Sequence, residues 1–160
     1  MNYCDKIRYH IYITELDEFS VMVDRLLAQL PEEEVILRLS FFGTPSSNEE
    51  YVSRKIRLRE KIRRRYLNCE PALSYVSQPP LNAPLIMEVH SIVPEEKDRI
   101  TFRHHKGLPY VVLENEDARI LYAGGFQGDV INFKVEQQAG EVFRLLTEVL
   151  RLEGFPMNTI

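Results

Sequence analysis

The order of apolar and polar positions divides the chain into short alternating runs and three longer helical patterns. KIRYHIYI (6–13) is rich in β-branched and aromatic residues and predicts a strand. In LDEFSVMVDRLLAQL (16–30), Phe19, Met22, Val23, Leu26, Leu27 and Leu30 recur at three- and four-residue steps and predict a helix with one apolar face. Thr14, Glu15, Asp17 and Glu18 suit its positive end, and Pro31 stops it. VILRLSFF (35–42) is nearly continuous in apolar residues, as a buried strand is, and ends at Gly43, Thr44 and Pro45. Ser46, Ser47 or Asn48 can then cap a helix running from about Glu49 to Leu67, with Val52, Ile56, Ile62 and Tyr66 as its apolar stripe. ALSYVSQ (72–78) and PLIMEVHSI (84–92) are two further strands across a proline-rich turn. Elements in this order predict an α+β fold, a mixed sheet with helices packed on one face.

VPEEKD (93–98) is charged and poor in apolar residues, and it marks a boundary between segments 1–95 and 96–160. Beyond it ITFRHHKG, LPYVVLEN and ARILYAGGF predict three strands with turns at Lys106-Gly107 and Asn115-Glu116. The stretch 134–154 predicts an amphipathic helix closed by Gly154. EFSVMVDRLLAQL and EVFRLLTEVLRLEG each follow an apolar strand and share helical character, which reads as an internal duplication whose second copy stops short at Ile160. The alternative is one unrepeated α+β domain whose last helix closes the sheet.

Composition narrows the partners. A net charge of −4 gives no reason to expect nucleic acid or an anionic membrane, and no apolar run approaches the roughly 18 residues of a membrane span. The N-terminus lacks the apolar core of a signal peptide, and Cys4 and Cys69 match no metal-ligand spacing. A cytoplasmic protein is expected. One helix departs from the average, since eight basic against three acidic side chains give 49–67 a local charge of +5. With no aromatic platform interleaved, its basic face reads as solvated and paired with acidic neighbours, although an RNA-binding reading predicts salt-sensitive affinity.

Gly124, Gly125 and Gly128 in ILYAGGFQGD fit neither the dinucleotide fingerprint nor a phosphate-binding loop, so no cofactor is expected there. What the adjacent glycines permit is close backbone approach. His104 and His105 point to opposite faces of a strand and cannot share one metal ion. Glu88 and His90 stand two apart, hence on one face, where a carboxylate beside an imidazole can do acid–base chemistry.

ARILYAGGFQGD with the helix that follows resembles the Rid (YjgF/RidA, endoribonuclease L-PSP) family, and VILRLSFF through PLIMEVHSI is similar to the latter half of the same module. Two modules in tandem, the first degenerate, resemble the chorismatase branch of that superfamily, with Rid/chorismate-mutase-like modules as the implied fold. The resemblance covers most of the chain, carried by motif in 118–154 and by element order elsewhere. It implies a hydrolase or lyase acting on a small carboxylate such as chorismate, in a cleft between modules or subunits of a homo-oligomer, by family a trimer. It further implies a role for Glu88 as the catalytic glutamate, and Tyr122, Gly124, Gly125 and Phe126 as the substrate-binding corner. Leu73 stands where the family carries a carboxylate-clamping arginine. That departure favours the alternative of a non-catalytic, metabolite-binding or oligomerising scaffold.

Overall fold

The computed structural model describes residues 3–156. A single 3-10 turn over Tyr3–Lys6 leads into β1 (Arg8–Ile13), then α1 (Phe19–Leu27), β2 (Val35–Gly43), α2 (Asn48–Tyr66), β3 (Ala72–Ser77) and β4 (Leu85–Ile92). Three more strands follow, β5 (Arg99–His105), β6 (Leu108–Glu114) and β7 (Arg119–Ala123), and then α3 (Val135–Glu153). Among the described residues, no helix is long and apolar enough to cross a membrane.

The local chemistry explains the element ends. At the start of α1, the Glu18 side chain accepts from the Ser20 N–H at 2.8 Å, so the cap sits closer to the helix than the acidic cluster from Thr14 suggested. Ser47 caps α2 by accepting from the Glu50 N–H at 3.1 Å. Glu49 and Glu50 occupy the first turn of α2 and Arg63, Arg64 and Arg65 its last, which matches both ends of the helix dipole. Lys106 and Gly107 both take positive φ, 49° and 75°, the geometry of a two-residue hairpin turn.

Contacts divide the chain into two units, Met1–Gly124 and Gly125–Ile160. The first unit therefore holds both sheets, whereas the composition shift in the sequence lies at 95/96. Its four-stranded mixed sheet has the order β1-β4-β2-β3, with β2 and β3 parallel and the other neighbours antiparallel. An antiparallel sheet of β5, β6 and β7 stands beside it.

Strand alternation sends side chains to two separate cores. On one face Leu39, Phe41, Leu73, Tyr75, Leu85, Met87 and Val89 pack against Phe19, Met22, Val23 and Leu26 of α1 and Leu58 and Ile62 of α2. Both helices thus cover one face of the mixed sheet, as the element order predicts. The basic helix turns Ile62 and Tyr66 of its expected stripe inward, but Leu58 takes the place expected of Ile56. Leu58 is buried in the core under the sheet face and Ile56 is mostly exposed. On the opposite face Leu37 and Ile92 meet Ile7, Val111 and Leu113, with Phe102, Ile120 and Tyr122 packed alongside.

One irregularity decides which residues reach which face. The β2–β4 register shifts between Ile36 and Arg38, leaving Leu37 as an extra residue. Ile36 consequently joins Leu39 and Phe41 on the helix side, while Leu37 joins the second core. Arg38, paired with His90, and Ser40, paired with Glu88, share the face opposite the helices.

In the second unit, Gly128 lies so near α3 that a Cβ there would meet the Gln138 Cα at 2.6 Å. Asp129 accepts from the N–H groups of Ile131 and Asn132 at 3.0 Å each, and these bonds together with the Asn132 amide hold its carboxyl below the usual range. Leu145, Val149 and Leu150 form the buried side of α3, and Gly154 closes it in the left-handed conformation with φ 70°.

Candidate functional site

The face of the mixed sheet turned away from the helices carries a polar group set within an otherwise apolar layer. Arg38 lies on β2 with His90 of β4 on one side of it and Ala72 of β3 on the other. Ser40, one position pair along, has Glu88 and Ser74 as its cross-strand neighbours.

Three polar atoms in this group are sealed from solvent and have no hydrogen-bond partner among the described residues: Arg38 Nε, Ser40 Oγ and His90 Nδ1. Ser40 is 1% exposed. The half-buried Arg38 side chain makes no hydrogen bond or ion pair with any described residue. Sealing one guanidinium N–H from water without a hydrogen-bond partner carries a desolvation cost that an acceptor at this position would offset.

Beside it, His90 Nε2 lies 3.2 Å from Glu88 Oε1. The Glu88 side chain is the more accessible of the two, 36% exposed against 16% for His90. Burial pushes the imidazole below its ordinary value and the nearby Arg38 charge pushes it further down, while Glu88 opposes both. This environment favours the neutral imidazole, whose Nε2–H tautomer is the one that can donate to the Glu88 carboxylate. Aromatic edges hold the ring in turn, with the Tyr9 centroid 4.7 Å away and the Tyr122 centroid 5.9 Å away, both near perpendicular.

The residues expected from the sequence fall as follows. Glu88 and His90 share a face, as their spacing demands. Tyr122 joins them through its ring contact. Gly124, directly after β7, comes so close to β3 that a Cβ there would stand 2.5 Å from Ser74 Oγ. Gly125, with φ 69°, and Phe126 open the second unit. Leu73 is buried on the helix side, facing away from Glu88. Arg38 and Ser40 escaped sequence reasoning. The signal was a lone arginine inside VILRLSFF, an apolar run that no other charge interrupts.

Other polar side chains in the first unit are engaged with one another. Buried Glu34 accepts from Arg8 at 2.6 Å and from Ser91, and contacts His10 at 2.8 Å. Burial pushes its carboxyl up, but those three partners together hold it below the usual range. His104 bonds the buried Glu70 at 2.6 Å. The basic face of α2 is tied to acidic neighbours through Arg57–Glu18, Lys61–Asp24 and Arg54–Glu50. No group of three or more His, Cys, Asp or Glu among the described residues is placed to hold a metal ion. Cys69 is an exposed free thiol.

No family model, curated protein or solved structure matches the chain.

Proposed function

We propose that this face of the mixed sheet binds a small carboxylate metabolite and acts on it as a hydrolase or lyase of the Rid/chorismatase type. The observation that carries the reading is Arg38, a half-buried guanidinium without a described partner, set beside an acid–base pair. Arg38 offers the charge-assisted bonds that Leu73 cannot. Glu88, held by His90, takes the proton that an attacking water gives up and returns it to the leaving nitrogen or oxygen. His90 acts as a positioning residue.

The test is turnover. Protein incubated with chorismate is expected to release pyruvate, or with a freshly generated 2-imino acid to release ammonia. Glu88→Gln lowers the rate by about 100-fold or more, within the range of general acid–base catalysis. Absence of any product from both substrates would remove the catalytic part of the proposal. The second reading, a metabolite-binding scaffold without turnover, is favoured by Leu73. It predicts a thermal shift with the carboxylate but no product. Trimeric assembly, which the family resemblance implies, is checked by light scattering.

A further inference from the structure

Strand order turns this face into a ruler for the ligand. β4 carries Glu88 and His90 and lies between β2, which carries Arg38, and β1 at the sheet edge. On β1, Tyr9 stands directly opposite His90 and Ile11 directly opposite Glu88. Tyr9, Ile11 and Ile13 are 65%, 70% and 61% exposed, a row of three large apolar side chains left open to solvent on the face that carries the acid–base pair. The anion anchor and this apolar rail thus flank the reactive pair on opposite sides. Two strand spacings of about 4.8 Å put them roughly 10 Å apart.

We propose that the ligand is an amphipathic carboxylate: its anionic end meets Arg38, the bond to be changed lies over Glu88, and an apolar ring or chain covers Tyr9 and Ile11. This rests on the carboxylate-site reading and adds the requirement for an apolar arm about two strands long. A compact carboxylate would reach Arg38 and leave the rail bare. An amine with the same arm would meet the wrong charge, so the complementarity selects the acid.

The experiment titrates the full chain with acetate, phenylacetate, 3-phenylpropionate, 5-phenylpentanoate and 5-phenylpentylamine, followed by calorimetry and by the His90 imidazole resonance, assigned with His90→Gln. The expected result is affinity rising along the acid series, with 5-phenylpentanoate at least about tenfold tighter than acetate, from the apolar area the arm covers. The amine leaves the resonance unmoved. Tyr9→Thr with Ile11→Thr, both exposed strand positions where a β-branched residue keeps the fold, returns 5-phenylpentanoate to the acetate level. Arg38→Gln weakens every acid. Binding that depends on Arg38 but is flat along the series, or unchanged by the β1 substitutions, overturns the amphipathic ligand and leaves the carboxylate site standing. The absence of any Arg38-dependent binding overturns both.

Discussion

Replacing Gly124 by alanine tests how the two sheets of the first unit meet. The added Cβ would lie 2.5 Å from Ser74 Oγ, where ordinary contact begins at 3.4 Å, so something must move by about 0.9 Å. The next nearest atoms, the carbonyl oxygen and carbon of Leu73, are at 3.6 and 3.7 Å and already at ordinary contact distance. The entire overlap therefore falls on one hydroxyl. Overpacking of this kind costs about 1–3 kcal/mol, which lowers the urea midpoint by roughly 0.5–1.5 M at a slope near 2 kcal/mol per M. Ser74→Ala removes the obstructing oxygen and leaves the Cβ in place. Combined with Gly124→Ala it is expected to recover most of the loss, giving a favourable coupling of about 1–2 kcal/mol in a double-mutant cycle. Urea unfolding of the four proteins, followed by circular dichroism, supplies the numbers. Additive effects would refute the reasoning, because they would mean that Gly124 does not rest on Ser74.

Leu58→Ala is expected to cost about 2–5 kcal/mol by leaving a cavity under α2, and Ile56→Ala less than about 0.5, measured by the same unfolding curves. His90 has its folded value pushed below that of the unfolded chain, so stability holds above pH 6.5 and falls as pH drops from there towards the lower folded value. The difference in stability between the native protein and His90→Gln should accordingly change over that window and be flat above it. Glu34 likewise lies below its unfolded value, so its contribution is present above pH 4.5 and lost as pH falls through the lower folded value. Glu34→Gln should destabilise the protein at pH 7, and the difference should shrink as pH falls below 4.5.

Most elements were legible because each period is well expressed. The three- and four-step recurrence from Phe19 to Leu27, the Ser47 cap and the Gly154 stop correspond to observed helix features, although α1 ends before Leu30. Helices on one face of a mixed sheet followed from the same order of elements. What escaped were properties that depend on pairing. VILRLSFF offers no alternation from which to read a face, so neither the bulge nor the side on which Arg38 lies could be read before the register with β4 was known. In α2, Ile56 could not be told from Leu58 by periodicity alone. Glu88 and His90 needed only a spacing of two, and their juxtaposition was readable. Glu34 collects its partners from β1 and β4, at distances along the chain that no local pattern encodes.

The extra residue at Leu37 has a practical consequence for any comparison of chains of this type. Two sequences could share every residue type in β2 and still differ in function if one lacks a single position there, because the strand's phase relative to β4 would shift from that point. A one-residue gap opposite Leu37 would then be more informative than many substitutions. It separates a strand that delivers an arginine opposite the helical layer from one that merely contains it.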